Sequence, residues 1–562
     1  MLLTACTFSF SACSDSYMED MNTDPSKADI IDPNAQLTTA ELQTYGRLDM
    51  VDIFRNYLYA FNQQFMGCWN TTFHGGRHFI DNNIMGYGWT LGYTGAVSNL
   101  VDAEYRTKDD PEKVNINAAL NIFYVYTMSV MTDLYGDVPY SEAGKGYLES
   151  IFTPRYDEQK DIYDSFFKVL SKAVDQFDPA KDEITSDVIY DGDIQKWKKF
   201  ANSLRLRFAM RISNVDPERA KQEFESALQA DGGVFESSSD DALIKYMEIS
   251  YSFGSESYTD YRGNALSKVL YGNDPANNPT YLCSTFFNQL YNTGDPRTFR
   301  IARCYYDGLM STSSPDNRID LTEEMIEKGI AFQPCVPGAF SWEPWPTGYD
   351  SDILKEIAET NPNIVYSVAR EVEPKLATTF LMSDNPGVVM TYSEVMFLMA
   401  EAALKGWNVG SASVEEYYKK GVREAMNFLS NNYDCEEITD EEFETYYNAN
   451  PIGYTDEQKK SSINTQAWIL HFLNPAECWA NVRRSGYPVL KSPVEYGFEQ
   501  YLTDGKEIPV RFCYPTLESS YNKDNYEEAL QRMGGKDSWY THVWWDSVDS
   551  VSYTHLRAHE TR

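Results

Sequence analysis

Residues 118–143, AALNIFYVYTMSVMTDLYGDVPYSEA, join the clearest helical pattern in the first third of the chain to its most specific turn. Apolar or nearly apolar side chains recur there three or four residues apart, which predicts a helix with one buried face. The set comprises Ile116, Leu120, Phe123, Thr127 and Val130/Met131. Gly136 permits backbone angles closed to other residues, and Pro139 disfavours helix at the residue before it. The helix is therefore expected to end here, and Asp133 to Tyr140 is expected to form an ordered, aromatic-rich loop.

The composition limits the classes of partner. The chain has 562 residues and a formal net charge of -36, which argues against DNA, RNA or anionic lipid, because these bind clustered Lys and Arg. Its 41 Tyr, 29 Phe and 11 Trp exceed what packing strictly requires. Such a content suits a surface that recognises a ligand by ring faces.

Two further stretches carry the helical period. One has apolar positions at Ile162, Phe166, Val169/Leu170, Ala173 and Phe177, and the other at Trp197, Phe200/Ala201, Leu204, Phe208 and Ile212. Arg205, Arg207 and Arg211 lie on other faces of the second helix. In so acidic a protein these arginines are expected to pair with carboxylates rather than with a ligand.

Cysteine and histidine give no metal or redox signature. The nine cysteines include no CxxC pair, so we expect mostly buried free thiols. His74 and His78 are four residues apart, but Gly75 and Gly76 between them make a helix unlikely, and a loop with two polar rings is expected. We predict no metal and no cofactor.

Several motifs resemble one family, in its order along the chain. They include TDLYGDVPYSEA at 132–143, WKKFANSLRLRFAMRI at 197–212, DPR at 295–297, WANVRRSGYP at 479–488 and VWWD at 543–546. Together they resemble the SusD/RagB family of Bacteroidetes outer-membrane nutrient-binding lipoproteins. The segment from Met390 to Trp407, with the small residues Ala400, Ala402 and Ala403, pairs with Val414 to Leu429 as in a tetratricopeptide-like unit.

The resemblance implies a mostly α fold. We expect a single SusD-like domain over 14–550, with a tetratricopeptide-like helical-repeat scaffold at about 35–212 and 385–500. A loop-rich insert at about 214–384 would form the irregular ligand-binding side.

The two ends of the chain are read as processing or cloning segments. Residues 1–13, MLLTACTFSFSAC, look like a truncated signal peptide that ends at a lipidated Cys13, and Cys6 is the competing site. Residues 551–562, VSYTHLRAHETR, look like a translated sequencing adaptor and are excluded from the reasoning about fold and function.

The predicted ligand surface is built from aromatic side chains in loops. The prolines of residues 332–350, FQPCVPGAFSWEPWPTGYD, stiffen this stretch, so that Trp342, Trp345 and Tyr349 can present flat faces to a sugar. Trp69 and Trp89 complete the candidate set; the alternative is that these rings pack the loops onto the helices. Family binding residues vary, so none is transferred to this chain.

No catalytic motif is apparent: the chain has no GxSxG elbow, Walker loop or dinucleotide fingerprint. The resemblance implies a non-catalytic lipoprotein on the cell surface, lipid-anchored in the outer membrane. It would bind an oligosaccharide or polysaccharide, or another oligomeric nutrient, and deliver it to a SusC-like TonB-dependent transporter. The alternatives are a peptide-binding member of the same system and a surface glycoside hydrolase.

Overall fold

The computed structural model describes residues 31–249, 260–271, 280–303, 305–307, 318–320, 332, 334–340 and 373–546. The two candidate lipidation sites, the predicted site residues Trp342, Trp345 and Tyr349, and the tail 551–562 lie outside the described residues.

The described chain is mostly α-helical, as predicted. Its first half contains α1 Pro33–Gly46, α2 Leu48–Ile53, α3 Tyr59–Phe61, α4 Trp69–Thr71, α5 Asn82–Gly92, α6 Ser98–Thr107, α7 Val114–Tyr135, α8 Gly146–Glu149, α9 Gln159–Gln176, α10 Ile194–Arg211, α11 Pro217–Gln229 and α12 Ala265–Tyr271. The remainder contains α13 Ser284–Asn292, α14 Thr298–Ile301, α15 Tyr392–Leu404, α16 Val414–Asn432, α17 Asp440–Ala449, α18 Asp456–Leu470, α19 Pro475–Ser485, α20 Glu518–Tyr521 and α21 Lys523–Arg532. Three π-helical turns, Phe54–Leu58, Thr72–Gly76 and Tyr93–Val97, continue helices in the first hundred residues.

The strands are short and all of their pairings are antiparallel. They are β1 Phe65–Met66, β2 Ala242–Ile244, β3 Tyr281–Leu282, β4 Ala302–Arg303, β5 Tyr305–Asp307, β6 Arg318–Asp320, β7 Lys375–Leu376 and β8 Gly387–Met390. One sheet has the order β1-β3-β7-β4, and β2-β8 and β5-β6 form two separate two-stranded antiparallel sheets. The four-stranded sheet brings residues near 65, 281, 302 and 375 together.

Helix α7, which contains the predicted helix, is the central element of the core. It is buried on nearly every side, not on one face, because α6, α9 and α19 all pack against it. The helix ends at Gly136, which has a φ of 87°. Glycine adopts this backbone angle at little cost because it has no Cβ. The following loop is ordered, since Val138 pairs with Asp157 and the Tyr124 hydroxyl donates to the Tyr140 carbonyl at 2.7 Å.

The helices pack side by side in a continuous series of contacts. Contacts run from α1 to α6, α6 to α7, α7 to α9, α9 to α10, and α10 to α11. Helix α10 also packs on α15, which pairs with α16 and α18, and α18 pairs with α19. This succession of neighbouring helices is the helical-repeat scaffold expected from the sequence.

The arginines of α10 pair with carboxylates, as predicted. The Arg207 guanidinium donates to Glu394 at 2.6 and 2.7 Å, and Arg211 donates to Glu477 at 2.5 Å. Arg205 lies 3.5 Å from Glu223. These ion pairs join α10 to α11, α15 and α19.

The region 214–384 is more regular than predicted at its start. Helix α11, Pro217–Gln229, begins at an Asp216 cap whose carboxylate accepts from the Arg219 amide. Its buried side chains Ala220, Phe224 and Ala227 recur at helical spacing. The scaffold therefore extends past residue 212.

Candidate ligand-binding surface

The segment with His74 and His78 is helical for part of its length, in contrast to the predicted loop. Thr72–Gly76 forms a π-helical turn after α4. A Cβ on Gly75 would lie 2.7 Å from the Ala60 Cβ and 2.8 Å from the Tyr57 carbonyl oxygen, so the glycine permits a close approach of two segments. Tertiary packing thus outweighs the low helix propensity of glycine.

The two histidine rings are directed at backbone carbonyls. His74 Nδ1 lies 2.8 Å from the Asn70 oxygen, and His78 Nδ1 lies 3.0 Å from the Gly505 oxygen. Burial lowers the pKa of both imidazoles. Within the described residues no group of three or more His, Cys, Asp or Glu side chains is arranged to hold a metal ion.

Trp69 opens an array of stacked planar groups at the surface. Its indole is 48% exposed. The Phe73 ring lies 5.0 Å from it at an interplanar angle of 9°, and the Phe340 ring lies 5.4 Å from it at 12°. Two residues distant in sequence from each other therefore hold the Trp69 ring in one orientation.

Arg77 continues the array to a second exposed ring. Its guanidinium carbon lies 4.2 Å from the centre of Phe340 and 4.3 Å from the centre of Tyr501, and its Nε donates to the Gly338 carbonyl at 3.0 Å. Tyr501 is 45% exposed. We name Trp69, Phe73, Phe340, Arg77 and Tyr501 the aromatic platform.

Backbone contacts fix the platform to the sheet edge. Gly67, next to β1, forms a parallel bridge with Phe340, and the Thr72 hydroxyl donates to the Ala339 carbonyl at 2.9 Å. The amides of Thr503 and Asp504 donate to the carbonyls of Arg77 and His78. Rings that are held before a ligand arrives lose little conformational entropy on binding.

The structure places one predicted site residue, Trp69, against the predicted loop 332–350. Trp69 stacks on Phe340, which precedes Trp342 by two residues in sequence. Phe340 itself belongs to the stretch 332–350 that the sequence analysis singled out. The positions of Trp342, Trp345 and Tyr349 stay predictions.

Trp89 lies in the core and not at the surface. It is 5% exposed, stacks on Tyr156 at 5.7 Å, and meets Tyr135 and Tyr514 edge to face. Its indole N–H donates to Glu518 at 3.3 Å. We therefore remove Trp89 from the candidate site and assign it a packing role.

Sequence reasoning missed four members of the platform. Phe73 precedes His74 and Arg77 precedes His78, in a stretch whose histidine spacing indicates metal binding more than stacking, and Phe340 precedes the more conspicuous tryptophans of its loop. Tyr501 lies in a stretch, EQYLTDG at 499–505, with no periodic pattern. An aromatic residue in an irregular segment was the only available signal for Tyr501, and many tyrosines of this chain share it.

The cysteines of the described part of the chain are buried or partly buried free thiols. Cys68, Cys283, Cys335, Cys478 and Cys513 are buried free thiols, as expected, and Cys435 is partly buried. Burial raises the pKa of Cys283 to about 12, so this thiol is a poor nucleophile at neutral pH. None of the described helices has the length and apolar character needed to cross a membrane.

Comparison with protein-family models gives two adjacent matches. A model described as "Starch-binding associating with outer membrane" matches residues 31–317, and one described as "Susd and RagB outer membrane lipoprotein" matches residues 366–546. No curated protein matches the chain.

Solved structures resemble the whole described scaffold. A structure described as "Bacteroidetes AC2a SusD-like" is 48% identical, with a TM-score of 0.86, and the alignment covers 92% of this chain and 100% of that one. A chitin-binding protein is 30% identical at the same coverage, with a TM-score of 0.74. A SusD homolog from Bacteroides uniformis is 23% identical, again at 92% and 100% coverage, with a TM-score of 0.68, and supports the fold alone. The chain described here belongs to the SusD/RagB family of outer-membrane proteins.

Proposed function

We propose that this chain is a non-catalytic binder of glycan, or of another oligomeric nutrient, at the cell surface. In this proposal the aromatic platform is the described part of its ligand surface. The lipidated residue is Cys13, and the bound nutrient passes to a SusC-like TonB-dependent transporter in the outer membrane.

The exposed stack from Trp69 to Tyr501 is the observation that carries the proposal. A sugar ring has an apolar face of C–H groups, and an exposed aromatic ring offers a matching flat apolar surface. Each such contact contributes about 1 kcal/mol by analogy with aromatic pairs. Two exposed rings joined by a rigid array suit a ligand of several linked units better than a single sugar.

The relatives point to the same ligand class. One family model is described as starch-binding, and a 30% identical relative is described as chitin-binding. A binder tethered beside a transporter needs only modest affinity, because tethering raises the effective concentration of the bound ligand.

A binding screen with product analysis tests the proposed function. The protein from Ser14 to Ser550 is titrated by calorimetry with chitooligosaccharides, maltooligosaccharides, other plant and host glycans, and oligopeptides. We expect heat of binding with at least one glycan and no shorter product after prolonged incubation. Release of shorter sugars would favour a hydrolase, and binding of peptides alone would favour a peptide receptor.

The anchor is tested separately in cells. Labelling with a radioactive fatty acid should disappear in Cys13→Ala and persist in Cys6→Ala. The reverse pattern would move the anchor to Cys6.

A further inference from the structure

The Tyr501 ring of the aromatic platform is carried by a short irregular loop. We name residues 499–505 the Tyr501 loop; it begins with the single 3-10 turn Glu499–Tyr501 and contains no α-helix or strand. Arg77, the platform member that contacts Tyr501, belongs to a distant part of the chain. The position of the Tyr501 ring therefore depends on the contacts that join this loop to the segment of Arg77.

His78 joins the two segments with both its backbone and its ring. Its carbonyl accepts from the Asp504 amide at 3.1 Å, beside the bond from the Thr503 amide to the Arg77 carbonyl. Its Nδ1 lies 3.0 Å from the Gly505 carbonyl oxygen. Because a carbonyl oxygen only accepts hydrogen bonds, Nδ1 is the ring nitrogen that carries the proton. One buried residue thus binds two successive residues of the Tyr501 loop.

The backbone of His78 is in a conformation that is uncommon for its residue type. Its φ is 54°, in the left-handed region that few residues other than glycine enter. Such strained residues persist only where the surrounding structure holds them, and they are found preferentially at ligand clamps and other functional sites. At His78 the surrounding structure is the Tyr501 loop, which takes one hydrogen bond from the ring and gives one to the carbonyl.

Two aromatic residues hold the same end of the loop. The Asp504 carbonyl accepts from Trp539 Nε1 at 3.2 Å and from the Tyr540 hydroxyl at 2.8 Å. A Cβ on Gly505 would lie 2.5 Å from that hydroxyl oxygen, so glycine is needed for this approach. The Trp539 ring also meets the His78 ring edge to face at 6.0 Å. The end of the loop is therefore fixed before a ligand binds.

A fixed Tyr501 ring matters most to a ligand that is long enough to reach it. The two exposed rings of the platform are joined in series, because Trp69 stacks on Phe340 and the Arg77 guanidinium contacts both Phe340 and Tyr501. A short sugar can contact Trp69 alone, whereas a longer chain that runs along the platform contacts both rings. The second contact then costs little conformational entropy, since the loop is already ordered.

We infer that His78 is a positioning residue of the aromatic platform: it holds the Tyr501 loop beside Arg77 and thereby gives the platform selectivity for long over short glycan chains. The inference rests on the proposed function, because it takes the platform as the glycan-binding surface.

Calorimetry with two chain lengths of one glycan tests this inference. The probes are the two-unit and six-unit oligomers of the chitooligosaccharide or maltooligosaccharide series, whichever binds the native protein more tightly. We expect the native protein to bind the six-unit chain at least about fivefold more tightly than the two-unit chain, from one additional ring contact. His78→Ala should remove most of this difference and leave the affinity for the two-unit chain unchanged.

A second substitution shows whether His78 acts through Tyr501. In a Tyr501→Ala background, His78→Ala should cause no further loss of affinity for the six-unit chain. His78→Asn should keep more of the chain-length selectivity than His78→Ala, because asparagine enters the left-handed region more readily than most residues and its carboxamide can donate to the Gly505 carbonyl.

Tyr540→Phe keeps the test open if His78→Ala fails to fold. It removes one hydrogen bond to the Asp504 carbonyl, and it should weaken binding of the six-unit chain about twofold without changing binding of the two-unit chain. Tyr454→Phe, at an exposed ring far along the chain, is the matched control and should change neither affinity.

Three results would overturn the inference. They are equal affinity of the native protein for the two chain lengths, equal loss of both affinities in a folded His78→Ala protein, and additive losses from His78→Ala and Tyr501→Ala. Each of them leaves glycan binding by the native protein in place, so the proposed function would stand. Absence of binding to every glycan in the screen would instead contradict the proposed function itself.

Discussion

At the scale of the residue, the buried ion pair between Arg484 and Glu401 joins α19 to α15. Arg484 and Glu401 are both buried and form two parallel hydrogen bonds of 2.7 Å. Burial raises the pKa of Glu401, but the charge and hydrogen bonds of Arg484 outweigh it and the pKa falls to about 2. Arg484 Nη2 also donates to the side-chain oxygens of Asn464 and Asn481 at 2.9 and 2.8 Å, and Arg484 Nε donates to Asn481 at 3.2 Å.

Removing Arg484 should leave the Glu401 carboxylate buried without its ion-pair partner. We expect Arg484→Leu to lower the free energy of unfolding by about 3–5 kcal/mol, because an unpaired charge is left buried. Urea denaturation monitored by circular dichroism measures the change. Adding Glu401→Leu should recover part of the loss, and a double variant as unstable as the sum of the two single variants would contradict the pairing.

The pKa of Asp241 is shifted in the opposite direction from that of Glu401. Burial of its carboxyl raises its pKa to about 8, although the Tyr392 amide donates to it at 2.6 Å and lowers it. Between the ordinary pKa of Asp and pH 8 the folded state binds more protons than the unfolded state, so this group's contribution to stability falls as pH rises.

Asp241→Asn should remove that pH dependence. The free energy of unfolding of the variant is expected to rise relative to that of the native protein from pH 5 to pH 8, by at most about 1.4 kcal/mol per pH unit. Above pH 8 the difference between the two proteins should be constant. Denaturation curves at each pH measure it, with Asp524→Asn, an exposed aspartate, as the control. A gap independent of pH would contradict the raised pKa.

At the scale of the element, the α15–α16 pair depends on a glycine. A Cβ on Gly421 would lie 2.7 Å from Cε1 and 2.8 Å from Cδ1 of the buried Phe397 ring. The Ser393 hydroxyl also donates to the Gly421 carbonyl at 2.8 Å, which draws the helices together.

Gly421→Ala should therefore destabilise the protein despite the better helix propensity of alanine. We expect a loss of about 1–3 kcal/mol, the usual cost of overpacking a rigid neighbour. Gly86→Ala in α5 is the matched control, because its Cβ would meet Pro515 at an ordinary 3.4 Å. Thermal denaturation compares the two, and a Gly421→Ala variant as stable as Gly86→Ala would show that the helices can separate without cost.

Helices were the elements most open to prediction. The apolar period placed α9 and α10 within a few residues of their observed ends, because one face of each meets a neighbour. The same reasoning underestimated α7, since a helix buried on all sides carries apolar residues beyond one face. It also missed the π-turn Thr72–Gly76, where Gly75 is required by the approach of Ala60 and Tyr57 and not by a local preference.

At the scale of the whole molecule, the aromatic platform unites distant parts of the chain. Residues 69–77, 338–340 and 501 meet at one edge of the sheet that contains β1. Hydrophobic periodicity predicts single helices and strands, and it does not predict which distant segments come into contact. The same pattern, a tryptophan in an interrupted helix, singled out both Trp69 and Trp89, but Trp69 is exposed whereas Trp89 fills the core. The role of Trp69 in binding stays a prediction.

Titration calorimetry of Trp69→Ala tests the central claim most directly. The ligand is the glycan that binds the native protein most tightly, and Tyr454→Ala is the control, because Tyr454 is an 87% exposed ring between α17 and α18. We expect Trp69→Ala to weaken binding at least about fivefold, from the loss of one ring contact, with Tyr454→Ala unchanged and both variants folded. Native affinity in a folded Trp69→Ala protein would contradict the claim that the aromatic platform binds the ligand.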